Sequence, residues 1–185
     1  YELGKAEKNI KKKLLLWNES VAHGWYYGDF DKAITYGKES LKLAQKYHYD
    51  SIASLIDNNI GIAFDYKGDY SQALFHFFKA LQVAEHIKDK NSEAYILSNI
   101  GLIYNNQAQY EKALQYHKKS LKIRRELKYK KGIAASVNNL AIVFMSQKKY
   151  KKAIHHYKQS LAFDLELNDS IGLSDDYNNL GVCYQ

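Results

Sequence analysis

Residues 99–104 of the chain read NIGLIY, and close copies of this hexapeptide stand at 59–64 (NIGIAF), 139–144 (NLAIVF) and 179–184 (NLGVCY). The spacing between copies is 40 residues each time. A second motif keeps the same period, an aromatic residue followed three places later by alanine, at 30–33, 70–73, 110–113 and 150–153. A fixed period of about 20 to 50 residues is typical of a repeat array. The sequence therefore predicts a chain of stacked structural repeats.

The repeats are predicted to be pairs of helices. Ile56, Ile60 and Phe64 lie four residues apart and form one apolar helix face. Gly68 and Asp69 then break the pattern, and the short Asp69 side chain suits the start of the next helix. The predicted helices span 2–27, 30–47, 51–67, 70–88, 91–107, 110–128, 131–147, 150–167 and a last helix from about 170.

The whole chain, residues 1–185, is predicted to be a single all-α array. Its predicted parts are a degenerate N-terminal capping helix pair (1–50), three units (51–90, 91–130 and 131–170) and the first helix of a further, truncated unit (171–185).

A small residue recurs inside the first helix of each unit, at Gly61, Gly101, Ala141 and Gly181. Glycine inside a helix costs about 1 kcal/mol relative to alanine, so its return indicates a tight helix crossing. The facing positions on the second helices are predicted to be Ala73, Ala113 and Ala153, with Phe77 and Tyr157 closing the packing layer.

The composition is that of a folded chain, with 46% hydrophobic and 25% charged residues and no proline. The single cysteine, Cys183, excludes an internal disulfide. No apolar run approaches the ~18 residues needed to span a membrane, so no membrane contact is expected. The chain begins at Tyr1 without a signal peptide, which points to a processed or cut start. A cytoplasmic location is favoured, and a periplasmic one stays open if the chain belongs to a membrane sensor.

The two repeated motifs together resemble the tetratricopeptide repeat. The 40-residue period resembles its long-helix variety, found in kinesin light chains, spindle-orientation adaptors and bacterial peptide-pheromone receptors, and residues 121–140 resemble the repeats of bacterial sensor kinases and transcription regulators. This implies a right-handed α-solenoid of antiparallel helix pairs. The departures are Asp57 where the family often has Trp, His117 in place of the second aromatic, and a signature lost at Ser20, Val21 and Gly24.

Asparagine recurs on the first helices, although its amide competes with the helix backbone. In the family that the chain resembles, first helices line a concave groove and their asparagines hold peptide backbones. Carried over by position, the predicted peptide-binding groove consists of Asn59, Ile62, Tyr66, Asn99, Leu102, Asn106, Asn138, Asn139, Ile142 and Asn179. The alternative is that these amides merely bridge neighbouring helices.

Positive charge is concentrated in residues 112–158, where 14 Lys or Arg stand against one acid, Glu126. The centre of this basic zone is Lys118, Lys119, Lys122, Arg124 and Arg125. The simplest interpretation is a solvated outer face. Docking of an acidic protein segment is the second interpretation, and nucleic-acid binding is the least favoured.

No catalytic or metal-binding motif is present, so neither an enzyme nor a cofactor is predicted. His155 and His156 are adjacent and point about 100° apart on a helix, which prevents joint chelation of a metal.

The last helix is predicted to expose Leu173, Tyr177, Leu180 and Tyr184. An end repeat would be polar on its outer side, so we expect the array or an output domain to continue, or the chain to self-associate there. The predicted function is binding of a protein or peptide, as the sensing or docking part of a larger bacterial signalling protein. The alternatives are a passive scaffold for an acidic partner and a structural, self-associating module.

Overall fold

The computed structural model describes residues 9–19 and 28–184, and every regular element in these residues is an α-helix. Helix α1 covers residues 9–19. The helices that follow are α2 (Phe30–Lys46), α3 (Asp50–Tyr66), α4 (Tyr70–His86), α5 (Lys90–Asn106), α6 (Tyr110–Glu126), α7 (Lys130–Ser146), α8 (Tyr150–Leu167) and α9 (Ser170–Cys183).

The predicted ends of helices α2 to α8 are confirmed to within about two residues. The predicted first helix, 2–27, is described only over residues 9–19. The lost signature at Ser20, Val21 and Gly24 lies outside the described residues.

Left-handed residues end these helices at a regular interval. The residues with positive φ are Gly28, His48, Gly68, Lys88, Ala108, Lys128, Lys148 and Asn168, one every 20 residues. At the seven positions from His48 to Asn168, the next residue donates back to the last turn of the helix, as Gln109 N does to Tyr104 O at 2.8 Å. This is the bonding of a Schellman motif, which satisfies carbonyls that the helix end leaves open. Turns within and between repeats therefore share one design.

The chain forms two compact units, which divide between Ile96 and Leu97 within α5. The core of the first unit joins Leu14 of α1 to Leu41 of α2 and to Ile56 and Ile60 of α3. The second unit has two clusters of buried side chains. One consists of Ala113, Leu114, Leu121, Ile133, Val137, Leu140 and Val143, and the other of Ala141, Ala153, Tyr157 and Leu180.

The predicted tight crossings are confirmed at two of the three glycines. A Cβ placed on Gly61 would lie 2.7 Å from the Phe77 ring and 3.2 Å from Ala73 O. A Cβ placed on Gly101 would lie 2.5 Å from the ring of His117. At Gly181, for which no facing residue is predicted, no heavy atom lies within 4 Å of a Cβ placed there. No helix of the described residues follows α9 to fill that space.

Candidate functional site

The asparagine of α3 is held inside the first unit. Asn59 is only 7% exposed, and its Nδ2 donates to Asn18 Oδ1 at 2.8 Å. Its own Oδ1 accepts from Asn58 Nδ2 at 3.4 Å. Both ends of the Asn59 amide are therefore engaged within the protein, which matches the bridging alternative. The expectation that Asn59 faces an open groove is corrected.

Asn139, the equivalent asparagine on α7, uses only the donor end of its amide within the protein. Asn139 Nδ2 donates to Ser98 Oγ at 2.8 Å, while no described residue donates to Asn139 Oδ1. Asn139 is partly exposed, unlike Asn59. The partner lies 41 residues earlier in both cases. That shared offset is the sequence signal for this bridge, because a polar residue stands at 18 and again at 98.

The remaining predicted amides have different surroundings. Asn99 and Asn179 are partly exposed on α5 and α9. Asn138 Nδ2 donates to Asp176 Oδ1 at 3.3 Å, so its amide points at α9 and not towards an open face. The inclusion of Asn138 in the groove is corrected for that reason. Asn106 is exposed at the end of α5.

The apolar members of the predicted groove are accessible. Ile62, Leu102 and Ile142 are partly exposed, one on each of α3, α5 and α7. Tyr66 is 59% exposed, and its ring stacks on Phe30 with the ring centroids 5.6 Å apart. Each of these positions is three residues after the asparagine column or seven residues after it, so it lies on the same helix face.

Sequence reasoning left two further exposed side chains of this face out of the groove. Leu55 on α3 and Tyr95 on α5 are 40% and 50% exposed. They stand 40 residues apart, and Leu55 lies one helical turn before Asn59. Adding the 40-residue period to Leu55 would have predicted Tyr95 as a further residue of this face.

One residue of the predicted basic zone, Arg124, is buried in the core. Lys118, Lys119, Lys122 and Arg125 are exposed on α6, but Arg124 is 7% exposed. Arg124 Nη1 donates to Gly132 O at 3.0 Å and to Ser136 Oγ at 2.8 Å. The physical reason is helical phase, because Arg124 lies one turn after buried Ser120 and therefore on the inner side. Arg124 is corrected from a docking residue to a buried structural one.

Two histidines are built into the cores. His76 Nδ1 lies 2.7 Å from Asp57 Oδ1, both side chains are buried, and the His76 ring stacks on Phe64 at 5.5 Å. His117 is fully buried, and neither ring nitrogen meets a hydrogen-bond partner in the described residues. Burial, and then the charge of Arg124, lower the pKa of His117 to about 4. His117 is therefore neutral at neutral pH.

No group of three or more His, Cys, Asp or Glu side chains in residues 9–19 and 28–184 is arranged to hold a metal ion. None of the helices in the same residues is both long enough and apolar enough to cross a lipid bilayer.

The outer face of α9 is only partly as predicted. Tyr177 and Tyr184 are 58% and 65% exposed. Leu180 is buried, because it packs with Ala141, Ala153 and Tyr157. Its predicted exposure is corrected. Sequence reasoning missed Ile171 and Val182, which are both exposed.

Solved structures with the same architecture cover nearly all of the chain. The aspartyl phosphate phosphatase F of Bacillus subtilis superposes with a TM-score of 0.85 at 21% identity, over 93% of this chain and 45% of that protein. A Rap protein in complex with Competence and Sporulation Factor gives a TM-score of 0.81 at 20% identity, over 95% of this chain and 52% of that one. A signal transduction ATPase with a tetratricopeptide repeat sensor from Pyrococcus horikoshii gives a TM-score of 0.79 at 22% identity, over 98% of this chain and 30% of that protein.

The chain therefore spans about half or less of the length of these three proteins. A search of curated proteins found no match. The sequence model of the tetratricopeptide repeat matches residues 54–126 and 92–166, which together are more than half of the chain. With its helix pairs and 40-residue period, this chain belongs to the tetratricopeptide repeat family and has that family's all-α solenoid fold.

Proposed function

We propose that this chain is a binding module for an extended protein or peptide segment, in the sensing or docking region of a larger bacterial signalling protein. The observation that carries the proposal is the half-engaged amide of Asn139, whose Oδ1 is left without a donor from the described residues. Partly exposed Ile142 lies one turn away on the same helix. The Rap protein solved with Competence and Sporulation Factor supports the same class of function.

The proposed site lies on the first helices of the second unit. Asn139 Oδ1 would accept from a backbone N–H of the ligand, while Leu102 and Ile142 would contact its side chains. An open amide acceptor next to apolar surface suits an extended chain, which offers unpaired backbone groups along its length. The helices are already formed, so the protein loses little conformational freedom on binding. No catalytic step is part of this proposal.

The test is selection of a random peptide library on the folded chain, repeated on Asn139→Ala and on the matched control Asn59→Ala. Both variants lose a bridging amide, but only Asn139→Ala removes a partly exposed one. We expect peptides enriched on the parent to bind Asn59→Ala and to lose at least tenfold in affinity on Asn139→Ala, which is about 1.4 kcal/mol. Retention of the same peptides by Asn139→Ala would contradict the proposal.

A second candidate function is docking of an acidic protein segment on the outer face of α6. Lys118, Lys119, Lys122 and Arg125 are exposed there, and Glu126 lies 4.0 Å from Lys122 as a single weak neutralising partner. A Lys118→Glu/Lys122→Glu variant should lose such a partner, and the loss should grow smaller as salt rises. Lys42→Glu/Lys46→Glu on α2 makes the same change of charge on exposed positions and is the control. Binding of an oligonucleotide instead of acidic peptides would reassign this face to nucleic acid.

Self-association through α9 is the third candidate. Ile171, Tyr177, Val182 and Tyr184 leave apolar surface exposed on this helix. A mass that rises with concentration, and returns to the monomer value in Ile171→Ser/Tyr184→Ser, would support it. A mass that stays at the monomer value at all concentrations would contradict self-association through α9.

A further inference from the structure

Two acidic side chains are buried against each other where α8 meets α9. Asp164 on α8 is 4% exposed, and Asp176 on α9 is fully buried. A buried carboxylate is costly unless a cation or several hydrogen-bond donors compensate its charge. Two of them in one place require an explanation.

The preceding repeat has a donor at one of these two positions. Forty residues earlier, Arg124 and Ser136 occupy the places of Asp164 and Asp176. Arg124 Nη1 donates there to Ser136 Oγ at 2.8 Å and to Gly132 O at 3.0 Å. A donor thus meets acceptors in the earlier repeat, whereas two acids meet in the later one.

The surroundings of the acidic pair supply few donors. Asn138 Nδ2 on α7 donates to Asp176 Oδ1 at 3.3 Å, but no described residue donates to the buried Asp176 Oδ2. Lys131 on α7 is the nearby cation, and it is exposed and bonded to Asp169 Oδ2 at 2.6 Å. The other titratable groups facing the pair are Tyr157 on α8, Asp169 in the turn, and Asp175 and Cys183 on α9. None of these is a cation.

A proton on one of the two carboxyls would remove the cost of burying two negative charges together. Burial, and then the charge of Asp164, raise the pKa of Asp176 to about 7. Burial and the neighbouring Asp169 also raise the pKa of Asp164. Protonated Asp176 can donate a hydrogen bond to the Asp164 side chain.

We propose that Asp164 and Asp176 share one proton that holds α9 against α8, and that loss of this proton as the pH rises releases α9. The carboxyls bind protons more tightly when α9 is packed than in the open chain, where an aspartic acid titrates near 4. The packed state is therefore favoured at low pH and weakens as the pH rises from about 4 to about 7. Above that range both states lose the proton and the dependence levels off. Because Ile142 packs against the cluster that contains Leu180 of α9, release of α9 would also change the surroundings of the proposed binding site.

The test is hydrogen exchange of the α9 backbone amides between pH 5 and pH 8, corrected for the intrinsic pH dependence of exchange. In the parent, the opening constant of α9 should rise about tenfold per pH unit up to pH 7 and then level off. Asp176→Asn should abolish this rise, because its amide donates at every pH. Asp175→Asn, an exposed acid on the same helix, is the matched control and should keep the rise.

Local exchange is needed because His117 titrates in the opposite sense in the same unit. If Asp176→Asn does not fold, Asp164→Asn tests the same pair, since it also leaves one carboxyl in place of two. Loss of the pH dependence in either variant supports the proposal. An opening constant of α9 that does not change with pH in the parent, or a rise that persists in both variants, overturns it.

Discussion

At the scale of single residues, Gly61 and Gly181 occupy the same position of the repeat but differ in what surrounds them. Alanine at Gly61 would press on the Phe77 ring and on the fixed backbone oxygen of Ala73. We expect Gly61→Ala to lower the free energy of unfolding by about 1–3 kcal/mol, as overpacked cores do. Gly181→Ala has open space and should raise it by up to about 1 kcal/mol through helix propensity.

Chemical denaturation of both variants, with the slope m compared between them, measures these changes. Equal effects at the two glycines would mean that the packing against Phe77 does not decide the choice of residue at Gly61.

His117 is a second residue whose effect depends on its surroundings. Its pKa of about 4 lies below the ordinary value of 6.5, so the folded state binds fewer protons than the unfolded state. The contribution of His117 to stability should therefore fall as the pH drops from about 6.5 towards 4, by about 2 kcal/mol at pH 5. His117→Phe should remove this loss, because Phe77 fills the equivalent position over Gly61.

The measurement is the difference in unfolding free energy between pH 7 and pH 5, taken for His117→Phe and for the parent. The exposed His155→Phe is the control, and it should keep the parent's dependence. The same change in unfolding free energy in His117→Phe as in the parent would contradict a destabilising protonation of His117.

At the scale of the element, several of the regular turns place a residue in the left-handed conformation that does not favour it. Ala108, in the turn between α5 and α6, has a φ of 57° and is exposed. A left-handed conformation costs an ordinary residue about 1–2 kcal/mol, and glycine avoids that cost. We expect Ala108→Gly to stabilise the chain by about 0.5–1 kcal/mol, after the greater flexibility of glycine in the unfolded state is counted.

Gly68→Ala makes the reverse change in the equivalent turn of the preceding repeat, where φ is 76°. Thermal unfolding should therefore shift upward for Ala108→Gly and downward for Gly68→Ala. A shift in the same direction for both would refute the argument from backbone conformation.

The repeat period could predict the helices and their close crossings, because Gly61, Ala73 and Phe77 each recur with a constrained size. It could not predict that Arg124 and Asp164 enter the core, since charged residues on the second helices are usually exposed. Nor could it separate Asn59 from Asn139. Both amides donate to a buried partner, Asn18 or Ser98, but Asn59 also accepts from Asn58, whereas the neighbour of Asn139 donates to Asp176 instead. The direction of that neighbouring amide depends on packing that one helix face does not encode.

At the scale of the whole molecule, a repeat array holds its structure through neighbouring elements and not through one central core. The two units accordingly have separate clusters, one around Ile56 and Ile60 and the others around Leu140 and Tyr157. Destabilisation in one unit should then remain largely local. Gly61→Ala should increase amide exchange in α3 and α4 at least about fivefold while α7 and α8 change less than threefold, since about 1.4 kcal/mol corresponds to a factor of ten. Hydrogen exchange resolved by helix makes the measurement, and the folded Gly181→Ala variant is its control. Equal loss of protection in all four helices would mean that the chain unfolds as one cooperative domain, and the effect of a ligand on one unit would then reach the other in full.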